Sequence, residues 1–273
     1  MTFNILQRFN NTLTMKTISF NKYQGAGNDF IIIDNRNGHF NPSDSKLINK
    51  LCDRRFGIGA DGLILVSGHN GSDYEMKYFN SDGKLGSMCG NGGRCTSHFA
   101  MKKGIAGKKQ RFQAFDGIHE AHVEINQVRL RMGNVNEYKI VDNNYFIDTG
   151  SPHYVVFRND IDKIDVAREG KELRWSPEFA PGGTNVNFVQ IIDKGLYIRT
   201  FERGVEEETL ACGTGVTASA IASVLKGHFD THSVNVRTKG GNLKVEFKIK
   251  DKKISDIWLT GPATFVFEGK ILI

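Results

Sequence analysis

Two short stretches of this chain place a cysteine directly before a glycine at the start of a segment with helical character. Residues Cys89 to Gly92 read CGNG, and residues Cys212 to Gly215 read CGTG. A thiol at a helix N-terminus faces unpaired backbone N–H groups and the positive end of the helix dipole, which can lower its pKa from ~8.5 towards neutrality. The glycines let the same N–H groups approach a carboxylate closely. Each stretch could therefore supply a reactive thiol beside an anion-binding helix end.

The two stretches belong to a longer repeat. Their cysteines are separated by 123 residues (212 − 89 = 123), and Lys103-Gly104 recurs at the same distance as Lys226-Gly227. Three more pairs of landmarks share this spacing: Gly27 with Gly150, Gly59 with Gly182, and Phe79-Asn80 with Glu202-Arg203. Coincidence of several landmarks at one spacing indicates a single internal duplication.

The surrounding sequence predicts the elements that would position the thiols. Alternating or apolar runs predict strands, and capping residues and helical periodicity predict helices. In the first half we expect strands at 30–34, 63–66 and 74–79, a helix at 45–54 capped by Ser43 or Asp44, and a helix at 94–103. Short strands should fill residues 111–147. In the second half we expect strands at 185–192 and 197–202, a helix at 217–225, and four strands between 233 and 267.

These elements define an α/β (α+β) fold of two similar domains from an internal duplication. Residues 217–225 are small or apolar on all faces, so this helix should be buried with the sheet around it. We therefore expect each domain to be a mostly antiparallel sheet wrapped round a central helix, with the active site in the cleft between the domains. The predicted boundaries are an N-terminal extension at 1–15, a first domain at 16–133 and a second at 134–263, with the last strand, 264–273, joining the first.

Composition excludes several classes of protein. The chain has 273 residues, of which 39% are hydrophobic and 24% charged, as in soluble globular proteins. No stretch approaches the ~20 apolar residues that cross a bilayer, so no membrane association is expected. The net charge of +6 is dispersed, which predicts a solvated basic surface and no nucleic-acid partner. Four cysteines without a C-x-x-C motif fit a reducing cytoplasm.

A pair of thiols can perform chemistry that a single thiol cannot. If the two helix ends face each other, one thiolate can remove a proton from one face of a carbon while the opposite thiol protonates the other face, which inverts the stereocentre. The helix ends would stabilise the charge that develops on the substrate carboxylate. Two buried structural cysteines and a disulfide between the halves are the alternative interpretations.

A metal-binding or redox module would use Cys89, Cys95 and His98. Their spacing is not a usual zinc spacing, and no convincing fourth ligand is present, so no metal site is predicted. Cys95 is instead expected to be a small core residue of its helix.

Six motifs together resemble the diaminopimelate epimerase family, from about Lys16 to the C-terminus. They are G-x-G-N-D-F at 25–30, F-N-x-D-G at 79–83, C-G-N-G-x-R-C at 89–95, P-H at 152–153, E-R-G at 202–204 and A-C-G-T-G at 211–215. The family interconverts LL- and meso-2,6-diaminopimelate on the route to lysine and peptidoglycan. The resemblance implies diaminopimelate as small-molecule substrate, no cofactor and a homodimer.

The resemblance also implies roles for individual residues. Cys89 and Cys212 would be the two bases. Backbone N–H groups of Gly90, Asn91, Gly213 and Thr214 would hold the reacting carboxylate. The other substrate-binding residues would be Asn28, Asn80, Asn185, Glu202 and Arg203. Arg203 suits a distal carboxylate because its guanidinium can bind it bidentately. Glu202 would receive an ammonium group and, with His153, would tune the thiol pKa values.

The chain departs from the family pattern in a few places. The family usually has Gln at the position of Gly62 and Asn at that of Ser151, and the stretch around 206–208 is one residue longer than in the commonest form. An enzymatic alternative is a proline or hydroxyproline racemase-like protein, which typically shows Cys-Gly-His at the first site. The Cys-Gly-Asn sequence at Cys89 favours the epimerase.

Overall fold

The computed structural model describes residues 16–273, so the predicted extension at 1–15 lies outside the described residues. The first half contains β1 (Thr17–Gly25), β2 (Asn28–Asp34), α1 (Ser45–Cys52), β3 (Gly62–Ser67), β4 (Tyr74–Asn80), α2 (Gly90–Lys102), β5 (Lys109–Ala114), β6 (Gly117–Val123) and β7 (Gln127–Arg131). The second half contains β8 (Tyr138–Val141), β9 (Asn144–Asp148), β10 (Pro152–Phe157), α3 (Val166–Arg174), β11 (Asn185–Ile192), β12 (Gly195–Glu202), β13 (Glu207–Thr209), α4 (Gly213–Leu225), β14 (Ser233–Thr238), β15 (Gly241–Lys250), β16 (Lys253–Pro262) and β17 (Thr264–Leu272).

Strand pairing confirms the duplication. In the first half β2–β3 is parallel, β3–β4 antiparallel and β4–β5 parallel, and the hairpins β5–β6 and β6–β7 follow. The second half repeats this order with β10–β11, β11–β12, β12–β14, β14–β15 and β15–β16. The central helices α2 and α4 each have 13 residues. The predicted mixed α/β fold with two similar halves is therefore confirmed.

The two halves are joined by shared strands. β7 pairs with β16 across the junction. β17, which ends the second half of the sequence, pairs with β1 of the first half. The second half thus contributes its last strand to the sheet of the first, and the β7–β16 pair joins the two halves. The exact domain boundaries remain a prediction.

The central helices begin earlier than predicted. α2 begins at Gly90 and α4 at Gly213, whereas the sequence predicted starts at 94 and 217. Glycine disfavours a helix interior, but the first turns of both helices are packed inside the protein, and this packing overrides intrinsic propensity. The first cysteine of each stretch is consequently the N-cap residue itself, with extended backbone at Cys89 and at Cys212.

The smaller helices flank the sheet. Asp44 caps α1 by accepting a hydrogen bond from the Leu47 N–H at 3.0 Å, as predicted, but α1 ends at Cys52, two residues before the predicted end. α3, which the sequence did not predict, lies between β10 and β11 as α1 lies between β2 and β3. Within residues 16–273, the helices are too short or too polar for any of them to span a membrane.

Candidate active site

The N-termini of α2 and α4 meet at two glycines. A Cβ atom added to Gly213 would lie 3.7 Å from the Cα of Gly90 and 3.1 Å from the Leu259 side chain. The two helix ends therefore lie close together at these glycines. The first turn of a helix carries unpaired N–H groups, so two helix ends this close together can bind one carboxylate.

The first thiol lies between a backbone donor and an amide acceptor. Cys89 Sγ accepts a hydrogen bond from the Gly92 N–H at 3.5 Å, and the thiol donates to Asn28 Oδ1 at 3.7 Å. The amide nitrogen of Asn28 donates to the Asp61 carboxylate at 2.5 Å, and Arg54 pairs with the other oxygen of that carboxylate at 2.7 Å. Since a carboxylate only accepts, this contact turns the Asn28 oxygen towards the thiol.

The second thiol has a hydroxyl neighbour. Cys212 Sγ lies 3.3 Å from Thr214 Oγ1, and this oxygen lies 2.8 Å from Nε2 of the fully buried His153. All four cysteines, each within the described residues, are free thiols, so the structure contains no disulfide between the halves.

Burial raises the pKa of both thiols, to about 12 for Cys212. The nearby carboxylate of Glu202 raises the pKa of each thiol further, while the Gly92 N–H and the Thr214 hydroxyl oppose the rise at their own thiols. The lowered thiol pKa expected from helix position alone is therefore wrong for the free protein. Cys212 is buried and Cys89 is half-buried, and loss of contact with water favours the neutral thiols.

Glu202 and Arg203 lie where β12 ends. Burial raises the pKa of Glu202, and the hydrogen bond with Thr209 opposes that rise. The backbone N–H of Arg203 donates to Asn185 Oδ1 at 2.8 Å, and the Asn185 amide nitrogen donates to Ser151 Oγ at 2.9 Å and to Pro152 O at 2.8 Å. Asn185 thus positions the backbone at Arg203 and keeps one oxygen lone pair for a ligand.

The remaining predicted residues occupy different positions. Asn80 ends β4 with an exposed side chain. Asn91 is buried: its amide nitrogen donates to Ala211 O at 3.0 Å, and its oxygen accepts from Arg94 at 2.7 Å. The Asn91 side chain therefore links the first helix end to the residue before Cys212, and only its backbone N–H is available to a ligand.

Sequence reasoning missed the role of Arg94. Its guanidinium is fully buried under the first turn of α2 and also donates to the carbonyl of Gly90 at 3.3 Å. It brings a positive charge close to Cys89, which opposes the rise of that thiol's pKa. Its place within C-G-N-G-x-R-C was the available signal.

Tyr78 was also missed. A Cβ on Gly62 would lie 3.0 Å from the Tyr78 hydroxyl and closer still to its ring edge. The ring therefore occupies the space that a larger residue at position 62 would need. Burial raises the pKa of Tyr78, and the nearby Cys89 and Asp61 raise it further, which keeps a neutral phenol near the first thiol. The presence of glycine at position 62, where the family usually has Gln, was the sequence signal that another side chain fills this space.

No group of three or more His, Cys, Asp or Glu side chains in the described chain is arranged to hold a metal ion. Cys95 is fully buried in α2, as predicted for a core residue, and burial raises its thiol pKa to about 12.

Solved structures define the class of fold. A phenazine biosynthesis protein of the PhzF family from Bacillus anthracis is similar with a TM-score of 0.76 at 17% identity, covering 95% of this chain and 100% of that one. A hydroxyproline epimerase from Agrobacterium vitis is similar with a TM-score of 0.70 at 12% identity, covering 94% of this chain and 93% of that one. At such identities the likeness establishes the fold alone: the duplicated α/β fold of the PhzF and proline racemase proteins.

Sequence relations are more specific. A family model described as diaminopimelate epimerase matches residues 20–138 and 145–266. The diaminopimelate epimerase of Flavobacterium psychrophilum is 49% identical over 92% of this chain and 98% of its own length, and that of Chlorobaculum tepidum is 46% identical over 91% and 99%. The chain belongs to the diaminopimelate epimerase family, and the protein is an isomerase.

Proposed function

We propose that the protein interconverts LL- and meso-2,6-diaminopimelate by a two-base mechanism that uses Cys89 and Cys212 and needs no cofactor. We further propose that it acts in lysine biosynthesis in the cytoplasm, as a homodimer. The observation that carries the mechanism is the meeting, at Gly90 and Gly213, of two helix ends that each have a cysteine as the N-cap residue.

In this mechanism the pair of thiols holds one proton between them when the substrate reacts. The thiolate of one cysteine removes the α-proton, and the thiol of the other donates a proton to the opposite face, so one bond to hydrogen breaks as another forms. Backbone N–H groups of Gly90, Asn91 and Gly213 bind the α-carboxylate and stabilise the negative charge that builds up on it. The backbone of Thr214 completes this set.

The distal half of the substrate is recognised by charged and amide groups. Glu202 receives an ammonium group, and Arg203 binds the distal carboxylate through its planar guanidinium. Asn28, Asn80 and Asn185 supply further hydrogen bonds. In the same proposal, His153 and Glu202 adjust the pKa values of the two thiols.

Deuterium exchange tests the proposal. In deuterated water the reduced protein should incorporate deuterium at the α-carbon of LL- or meso-diaminopimelate, detected by mass spectrometry, and leave proline unlabelled. Cys89→Ala and Cys212→Ala should abolish net epimerisation, whereas Cys52→Ala should retain it because Cys52 lies in a separate core cluster.

Two results would contradict the proposal. Labelling of proline in place of diaminopimelate would favour a proline racemase-like activity, the alternative that the shared fold leaves open. Full epimerisation by Cys89→Ala or by Cys212→Ala would exclude the two-base mechanism.

A further inference from the structure

A line of buried hydrogen bonds leads from Cys212 into the protein. Thr214 Oγ1 lies 3.3 Å from Cys212 Sγ and 2.8 Å from His153 Nε2. On the other side of the ring, Asn187 Nδ2 lies 3.0 Å from His153 Nδ1, and the Asn187 oxygen accepts from the Thr200 hydroxyl at 2.9 Å. Both ring nitrogens of His153 are therefore engaged.

The direction of these hydrogen bonds follows from chemistry. His153 and Asn187 are fully buried, and burial lowers the pKa of His153 to about 3, so its ring is neutral and carries one proton. Because the Asn187 amide nitrogen donates to Nδ1, the ring proton is on Nε2 and is donated to the Thr214 oxygen. The hydroxyl proton of Thr214 is then directed at the sulfur of Cys212.

The other half of the molecule shows that the fold does not require this polar line. The residues 123 positions before His153 and Asn187 are Phe30 and Ile64, both fully buried. Ile64 packs under the first turn of α2 at Gly92, just as Asn187 packs under the first turn of α4 at Gly215. Apolar side chains thus fill the equivalent space, so the amide and imidazole are not needed for packing.

We propose that Asn187 is a positioning residue: it fixes the Nε2–H tautomer of His153 and thereby obliges Thr214 to donate its hydroxyl proton to Cys212. A donor to sulfur favours the thiolate over the thiol. Three other titratable groups also affect these pKa values: Glu202, at the end of β12, and Cys89, at the start of α2, raise that of Cys212, and Arg203 lowers that of His153. A change at Asn187 leaves all three in place.

Nitrogen-15 NMR of histidine-labelled protein tests the tautomer without reference to any reaction. The His153 signals are those that disappear in His153→Phe, which places at this position the residue type of the equivalent Phe30. They should also be the signals of a ring that stays neutral at pH 5. We expect a protonated Nε2 and an unprotonated Nδ1. Protonated Nδ1 in the wild-type protein would overturn the proposal. Asn187→Asp should move the proton to Nδ1, because a carboxylate can only accept.

Alkylation of the thiols by iodoacetamide, followed by mass spectrometry across a pH series, tests the consequence. Asn187→Leu removes the amide but keeps its size. We expect the pKa of Cys212 to rise by about one unit, so that alkylation of Cys212 at a given pH slows about tenfold. Cys89 in the same molecule is the matched control and should change by less than about twofold, because Asn187 does not contact it.

Thr200→Val is a second variant for the case in which Asn187→Leu does not fold. It removes the hydroxyl that orients the amide and should shift Cys212 in the same direction. Equal slowing of both thiols, or no change at Cys212, would overturn the proposal. A third measurement, the rate of epimerisation, rests on the proposed function, and slower epimerisation should accompany the slower alkylation. If a variant loses epimerase activity while its NMR signals and Cys212 alkylation are unchanged, the role proposed for Asn187 is refuted and the proposed function is not.

Discussion

Replacing Gly215 with alanine would test how rigidly the polar line under α4 is held. The new Cβ would lie closer than 3.0 Å to Asn187 Oδ1 and 3.2 Å from His153 Cε1. Neither group can move freely, because the Asn187 amide is hydrogen-bonded at both ends. Overpacking costs about 1–3 kcal/mol and a broken buried hydrogen bond about 1–2 kcal/mol more, against a gain of up to about 1 kcal/mol in helix propensity. We expect a net loss of about 3 kcal/mol.

Gly92→Ala is the matched control in the first half. Its Cβ would meet the terminal methyl groups of Ile64 and Met76 at 3.2 Å, and these can shift by the small distance required. The propensity gain should offset that contact, so the stability should change by less than about 1 kcal/mol.

Thermal unfolding and epimerisation assays on both variants provide the measurement. At about 2–4 °C per kcal/mol, Gly215→Ala should lower Tm by roughly 6–12 °C and slow epimerisation, while Gly92→Ala should remain close to wild type in Tm. If Gly215→Ala unfolds at the same temperature as Gly92→Ala and keeps full activity, the line of His153 and Asn187 is not rigid, and the reasoning from its geometry fails.

Two further predictions concern charged groups. Asp29→Asn leaves the buried ammonium of Lys22 without its carboxylate, and urea titration should show a loss of about 3 kcal/mol in the free energy of unfolding. Asp34→Asn is the control: it breaks an exposed ion pair with Arg36 and should leave the free energy of unfolding nearly unchanged. Burial would raise the pKa of Asp29, but hydrogen bonds from Arg54 and Lys22 outweigh it and hold that pKa well below its usual range. The ionised Asp29 therefore contributes folding stability that is fully present above about pH 4 and is lost as the pH falls further. Asp29→Asn should lose less stability than the wild type over that acidic range. Arg203→Ala should raise KM about 10- to 100-fold, since a hydrogen bond to a charged group is worth about 1.5–3 kcal/mol, and Arg203→Lys should recover only part of it.

The parts of the molecule that could be predicted are those with a local or repeated signal. The glycines after Cys89 and Cys212 recur at one spacing, which was enough to predict the duplication and the pairing of the thiols. Helix α3 has such a local signal, which the sequence analysis overlooked: Asp165 caps it by accepting from the Arg168 N–H, and its buried residues recur at every fourth position. The early starts of the central helices depend on tertiary packing of glycines, which propensity cannot foresee.

Properties that depend on distant residues were not predictable. The direction of the thiol pKa shifts depends on burial by both halves and on Glu202, which is 113 residues from Cys89 (202 − 89 = 113). Arg94 was visible within a motif, but its contacts with Asn91 and Gly90 appear only once α2 is folded. Local sequence identifies the reactive groups, whereas the surrounding fold decides their protonation.

The duplicated backbone makes the difference between the two thiols informative. Both cysteines are the N-cap residues of 13-residue helices, yet Cys89 has the buried cation of Arg94 nearby, whereas Cys212 is connected through Thr214 to the neutral ring of His153. In an enzyme that interconverts mirror-image substrates, the two bases perform equivalent proton transfers on enantiomers. LL- and meso-diaminopimelate are diastereomers, so under the proposed function each thiol meets a different substrate. Nothing in that reaction requires equal thiol pKa values, and duplication followed by divergence of the residues beneath each helix would tune each base separately.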